Sequence, residues 1–388
     1  MLWISSVSIG SLSPCASAAS TSSVVTLRRR PPKAHELTSE YTFNQYLIDF
    51  NKSIDPKSQD YQERKQIFES NLQLILNHNQ NVVYDLETGQ RRNVNEGMNG
   101  HTFHMGVNHL MDFSQDQLKS SLFGYHKSLI YPHLQQKYMK TATTATTRKM
   151  KVTFNNNYEK DLPFNVTDVS TLPTSFKYER VTPIKNQGSC GSCWSFSSIA
   201  ALEAHLAKET GVLDVLSTQE LISCVDNPNH CGGAGGCTGA TAELAYAYIA
   251  QNGILIEDSF PYTSHDNITC PLHRDSIGGV LDVDLVQKTM LRHRNVKQLS
   301  VVAKIEGYAK LPSNNYKTLM NAVAKHSPVV IAAAASSWVF YEGGVFSPSD
   351  TSNPNVWDLN HGIVVEGYGR LLILLDIRRI LLFTLTST

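Results

Sequence analysis

The sequence predicts an α+β fold, and three observations predict it. Residues 40 to about 80 read as two helices; in the second, Arg64, Phe68, Asn71, Ile75 and Asn79 recur every three or four residues and share one face. A further helical run starts at Cys193, with Phe196, Ile199 and Ala200 at i, i+3 and i+4 spacing. Strand-like runs come last: Pro328 to Ala335 is apolar and begins at a proline, and residues 363–365 are apolar between glycines.

The other elements follow in order. Residues 1–20 read as a signal peptide with Ala16-Ser-Ala18 as cleavage site, although no Lys or Arg precedes the apolar run and Ser and Pro dilute it. Residues 132–165 lose periodicity, and Thr141 to Thr147 is a low-complexity linker, the kind of stretch a protease cuts. Ser217 followed by Glu220 has capping-box spacing. Between Cys231 and Ala240 the glycines require tight bends or close backbone approach. Thr241 to Gln251 is a helix ended by Asn252-Gly253. Residues 271–305, with His273, Arg274, Arg292, His293 and Arg294, read as a solvated insertion. Asn315 to Lys325 is a helix burying Leu319, Met320 and Val323. The stretch 370–388 is too short and too charged to cross a membrane as a helix.

Composition sets bounds. A chain of 388 residues allows roughly two or three domains. Its zero formal net charge gives no electrostatic case for nucleic acid or an acidic membrane as partner. Six of the seven cysteines lie between Cys190 and Cys270, and Cys15 stands apart. Such clustering suits disulfides plus a working thiol in an oxidising compartment. Asn51, Asn165 and Asn267 sit in glycosylation sequons.

The chemistry concentrates in Gln187-Gly-Ser-Cys190-Gly-Ser-Cys193-Trp194. A thiol at a helix N-terminus meets the positive end of the macrodipole, which favours the reactive thiolate. Gln187, six residues upstream, offers an amide to a developing oxyanion. A C-x-x-C pair also fits a redox couple or half a zinc site, with Cys231, Cys237 and His230 as further ligands. Trp194 follows the second cysteine here, whereas a redox couple usually has Trp before the first. The segment resembles the active-site signature C-G-[SA]-C-[WY] of papain-like (cathepsin) cysteine proteases. Asp60, Arg64, Phe68, Asn71, Ile75 and Asn79 are similar to the ERFNIN pattern of cathepsin L-type prosegments, with Asp60 in place of Glu. Gly106-Val-Asn108-His-Leu110-Met-Asp112 resembles the prosegment motif G-x-N-x-F-x-D, with Leu110 in place of Phe. Asn360-His361-Gly362, before an apolar strand and Gly367-Tyr368-Gly369, resembles the strand that carries the family's catalytic histidine.

The resemblance implies a two-lobe fold, with a helical N-terminal lobe carrying Cys193, a β-rich C-terminal lobe carrying His361, and a helical prosegment lying through the cleft. It implies a cysteine endopeptidase made as a zymogen, acting on protein and peptide substrates. Its own prosegment is then an intramolecular inhibitor, and no cofactor or metal is needed. His361 would hold Cys193 as a thiolate, with Gln187 and the Cys193 N–H as oxyanion donors. Gly239 and Ala240 match the family's substrate-binding Gly-Gly pair, and Ala in the second place would be strained if its φ were positive. Ala242, Ala332 and Leu359 would line an apolar substrate pocket. Cys190 would pair with Cys237 and Cys224 with Cys270, leaving Cys193 and Cys231 free. Trp338 to Phe346 resembles the family's aromatic hairpin. The implied organisation is 1–20 signal peptide, 40–130 prosegment, 131–171 linker with processing near 155–171, 172–369 peptidase domain and 370–388 an aberrant tail. The expected product is a monomer of lysosome or vacuole, or secreted, away from nucleic acid and membrane. No Asn follows Asn360, so the family's third catalytic residue has no counterpart, and a catalytically impaired, prosegment-type inhibitor is the alternative reading.

Overall fold

The computed structural model describes residues 30–82, 103–125, 162, 164–271, 301–344, 346 and 359–369. The expected signal peptide, the run 141–147, the basic residues 273–294 and the tail 370–388 lie outside these. Among the described residues every sheet is a two-stranded antiparallel pair.

The N-terminal unit is built from α1 (Phe43–Asp49), α2 (Gln59–Gln80), β1 (Phe103–Met105) and α3 (Gln115–Ser121). Thr42 and Ser58 cap α1 and α2 by accepting from backbone N–H groups, and Ser114 with Gln117 makes a reciprocal capping box on α3. Phe68 and Ile75 of α2 are buried with Tyr46, Met111 and Phe340. The polar members of the same α2 face fasten the chain that follows. Asn71 Nδ2 donates to Met111 O at 2.9 Å, and Asn79 exchanges bonds with Met105 at 2.7 and 2.9 Å. Asp112, fully buried, accepts from Tyr46 Oη at 2.7 Å and pairs with Lys52 at 2.5 Å and Arg64 at 3.2 Å.

The helical lobe comprises α4 (Cys193–Thr210), α5 (Thr218–Cys224), α6 (Ala242–Asn252), β3 (Ile254–Leu255) and β4 (Val301–Ala303) around Trp194, Ile199, Leu221, Ile249 and Ile254. β4 falls in the stretch read as a solvated insertion, so the end of that stretch is sheet. The capping box at Ser217 is only half made. Ser217 Oγ accepts from Glu220 N, but the Glu220 carboxylate turns inward to accept from Leu255 N at 2.7 Å and Tyr248 Oη at 2.9 Å. Burial raises Glu220 from 4.5 to about 7, against those two bonds. A carboxyl with a raised folded pKa stabilises the fold at acid pH, and this contribution is lost as pH rises from about 4.5 to about 7. The loss amounts to about 3 kcal/mol. Relative to the parent, Glu220→Gln should therefore gain melting temperature from acid to neutral pH, because the amide escapes that loss; a difference between the two chains that does not change with pH would contradict it.

The strand lobe holds α7 (Tyr316–Lys325), β5 (Val329–Ala333), β6 (Tyr341–Gly344), β7 (His361–Val365), β8 (Gly367–Tyr368) and β2 (Phe176–Lys177), which pairs with β8. Met320, Val323, Val365 and Tyr368 form its core with Leu172. β5, expected to be buried, is mostly half-buried because β7 is its one partner among the described residues. β6 pairs not within its own hairpin but with β1 of the N-terminal unit, in the register Phe103↔Gly344, His104↔Gly343, Met105↔Tyr341. Residues 164–171, assigned to the linker, are fastened to α7: Thr167 N donates to Asn321 Oδ1 at 3.0 Å, and Asn321 Nδ2 donates back to Thr167 O at 3.0 Å.

Candidate active site

Cys193 is the first residue of α4, and the chain before it is bent to place it there. Gly188 has φ +59°, and a Cβ on Gly191 would stand 2.5 Å from Cys237 O. Gly191 N donates to Cys237 O at 2.9 Å, and Cys190 and Cys237 are joined by a disulfide. Ser192, at the N-cap position, makes no side-chain cap bond. Its hydroxyl meets Tyr262 Oη at 2.8 Å, and Tyr262 Oη also bonds Gln187 O at 2.5 Å. The first N–H groups of α4 thus lack a capping side chain and stand beside the thiol.

His361 opens β7, opposite Ala333 of β5. Asn360 fixes the entry to the strand: its N–H donates to Ala333 O at 3.0 Å and its Oδ1 accepts from Ala335 N at 2.9 Å. At Gly362 a Cβ would lie 3.1 Å from Ser197 Oγ, so glycine lets β7 approach α4 closely. Gly362 N donates to Cys193 Sγ at 3.3 Å. Cys193, His361 and Gln187 line one cavity with Thr182, Lys185 and Glu366. His361 Nδ1 is buried with no hydrogen-bond partner among the described residues.

The expected thiolate at Cys193 belongs to the active enzyme; in the covered state the electrostatics differ. Burial pushes the thiol up, outweighing the backbone N–H groups of Gly362, Gly124, Trp194 and Cys193 that favour the anion. Burial also pushes His361 down to about 4. Thiol and imidazole are therefore both neutral in this state.

The burial comes from residues 122–125. Leu122 O accepts from Gln187 Nε2 at 2.9 Å, so the amide expected to serve an oxyanion serves this carbonyl, and Cys190 O at 2.8 Å. Gly124 passes so close to Gly191 and Gly239 that a methyl group on it would collide with Gly191 O. The Phe123 ring lies edge-on to His361 at 5.9 Å, and Tyr125 N donates to Asn360 O at 3.1 Å.

The remaining expected site residues are distributed as follows. Gly239, with φ +101°, faces Gly124, and Ala240 is buried without a positive φ, so the strain expected there does not arise. Ala242 begins α6, Ala332 pairs with Gly362, and Leu359 precedes Asn360; all three are half-buried, and none lines the cavity beside Cys193. Cys224 is joined to Cys270, while Cys193 and Cys231 are free. Asn165 and Asn267 are exposed. Among the described residues no group of three metal-ligating side chains gathers, and no helix is long and apolar enough to cross a membrane. Sequence reasoning missed Gly362 as a donor to sulfur, Tyr262 as the support of Gln187, and Leu122 to Tyr125 as the plug. Only the glycine after His361 offered a local signal.

A thiol beside an imidazole and a carboxamide, covered by another part of the same chain, is the arrangement of a cysteine hydrolase in a latent form. The chain belongs to the papain family of cysteine proteases: the "Papain family cysteine protease" profile matches residues 171–371, and the "Cathepsin propeptide inhibitor domain (I29)" profile matches residues 43–118. It is similar to cathepsin K of Mus musculus, 29% identical over 326 residues, which are 82% of this chain and 75% of that protein. Pro-cathepsin H of Bos taurus is 28% identical over 336 residues, 85% of this chain and 77% of that protein. The solved structure of digestive procathepsin L 3 from Tenebrio molitor larval midgut superposes with TM-score 0.55 at 27% identity, covering 85% of this chain and 84% of that one. The chain is a papain-like cysteine endopeptidase zymogen of α+β fold, with an inhibitory prosegment acting within the molecule.

Proposed function

We propose that Cys193 is the nucleophile and His361 its general base, acting after residues 122–125 leave the cleft. The observation that carries this is the single cavity holding both side chains with Gln187, the Gly362 N–H already on the sulfur. His361 takes the thiol proton, and the sulfur bonds to the peptide carbonyl carbon while the oxygen gains the electron pair. The Cys193 N–H and Gln187 Nε2, freed from Leu122 O, stabilise that oxyanion. The amine leaves with the proton from His361. Water, deprotonated by His361, then cleaves the thioester, giving the acid and restoring the thiol.

The boundaries we propose are prosegment 40–130, linker 131–171 and peptidase domain 172–369. Processing falls within 155–171, a range whose last part, residues 164–171, is fastened to α7. Ala242, Ala332 and Leu359 are small or apolar, which favours a bulky hydrophobic substrate side chain. Two disulfides and the exposed sequons Asn165 and Asn267 support a protein routed to lysosome or vacuole, or secreted, which we propose acts as a monomer. The test is peptide hydrolysis by the acid-processed chain. Gln187→Ala should lower kcat by about 10²–10³-fold while Cys193 still reacts with a thiol-directed peptide. A loss below tenfold would remove Gln187 from this role, and a profile favouring charged side chains would remove the pocket.

A further inference from the structure

Residues 30–42 precede the stretch matched by the propeptide profile, yet they too make contacts to the rest of the molecule. Arg30 grips Glu36 through two bonds of 2.8 Å. Glu36 closes a turn, its N–H donating to Lys33 O at 2.9 Å and its carboxylate accepting from Lys33 N at 2.9 Å. Lys33 N and Glu36 N are thereby engaged within the turn, whereas Ala34 N bonds outside it. Its partner is Glu342 on β6 of the peptidase domain: Ala34 N donates to Glu342 Oε2 at 2.7 Å, and Lys33 Nζ stands 3.6 Å from Glu342 Oε1. Beside this turn Ala34 and Leu37 are buried, and Leu37 shares a cluster with Phe340, two residues from Glu342.

The same carboxylate is fitted to a second part of the prosegment. Gly106 N donates to Phe340 O at 2.8 Å as the chain leaves β1, and any side chain on Gly106 would collide with Glu342 Oε2. Glu342 therefore fills a notch that exists because residue 106 is glycine, and it reaches across that notch to an arm some seventy positions earlier in sequence.

We propose that Glu342 is the peptidase-domain residue that recognises the prosegment's N-terminal arm, as a latch separate from the plug at 122–125. The latch demands a free backbone N–H at position 34, a cation at position 33 and glycine at position 106. These demands select which prosegments close this latch: proline at the arm position removes its donor, and a side chain at the notch displaces the Glu342 carboxylate from it. A charge-assisted hydrogen bond of this kind is worth more than a neutral one, and its loss alone is enough to change closure about tenfold. The proposal rests on the reading of the N-terminal unit as the inhibitory prosegment.

The experiment uses the full chain and reads the rate at which a thiol-reactive peptide labels Cys193. Position 34 is the second residue of the turn 33–36, where proline is favoured, so Ala34→Pro deletes the N–H and keeps the turn. Ala34→Pro should raise the labelling rate about tenfold and Glu342→Ala at least as much, and the double variant should rise no further than Glu342→Ala alone, since that change already removes the Ala34 bond together with the Lys33 contact. Glu342→Gln keeps an acceptor and should have a smaller effect. After processing, the Glu342→Ala enzyme should match the parent in kcat/KM, which separates a latch from a folding defect. Phe68→Ala, which hollows the prosegment core, serves as the reference. If Phe68→Ala speeds labelling and the latch variants stay within twofold of the parent, or if their effects multiply, the latch is refuted while the prosegment reading stands. If Phe68→Ala has no effect either, both are refuted.

Discussion

A chain carrying Cys193→Ala should hydrolyse no peptide after processing, with kcat reduced on the order of 10⁶-fold, as when the nucleophile of a cooperating pair is removed. His361→Ala should cost nearly as much, because the two groups act as a unit and their losses do not add. The fold should survive both changes. Cys190 is committed to Cys237 and Cys224 to Cys270, so removing the Cys193 thiol disturbs no bridge. Peptide hydrolysis measured beside thermal melting checks this. Activity retained by the Cys193→Ala chain, or a thiol-directed inhibitor found on Cys231 instead, would place the nucleophile elsewhere.

Asp112→Ala should open the zymogen. Asp112 is wholly buried and holds Tyr46, Lys52 and Arg64 at once. Without it, two cations and a phenol lose their shared buried acceptor; Tyr46 and Lys52 keep His109 O, and Arg64 keeps Asp60. Breaking a buried ion pair from one side costs about 3 kcal/mol or more. That is roughly a hundredfold in the equilibrium between closed and open prosegment. Labelling of Cys193 in the unprocessed chain should accelerate by a similar factor. The processed enzyme should be unaffected, because Asp112 belongs to the part removed. A variant that stays closed would mean that β1–β6 pairing and the plug suffice without the charged core.

The sequence made visible whatever depends on near neighbours. The face Arg64 to Asn79 follows from helical periodicity, and its polar members turned out to bind the chain at 105–113. The turn into α4 was legible from Gly188 and Gly191, and the end of α6 from Gly253 with its positive φ. Long-range pairing was not legible. Nothing near Tyr341 announces that β6 takes its partner from Phe103–Met105, because strand pairing is a choice between distant segments with similar local signals. Glu220 shows the same limit from the other side: its spacing from Ser217 suits a local cap, but Leu255 N and Tyr248 Oη offered a buried alternative. The effect of the covering segment on Cys193 was not legible for a related reason. A helix N-terminus favours thiolate, whereas Leu122 to Tyr125, some seventy residues away in sequence, remove the water that the anion needs.

The central claim is that the prosegment keeps Cys193 and His361 closed and uncharged, and that its removal creates the reactive pair. The most direct measurement is the rate of iodoacetamide alkylation of Cys193 against pH, in the full chain and after processing. In the full chain, alkylation should be slow and should rise only at alkaline pH, because burial raises the thiol and depresses His361 to about 4. After processing it should be fast and should persist into acid, as a thiolate paired with imidazolium requires. Equal rates in the two forms, or an alkaline-only profile that processing does not change, would contradict the account.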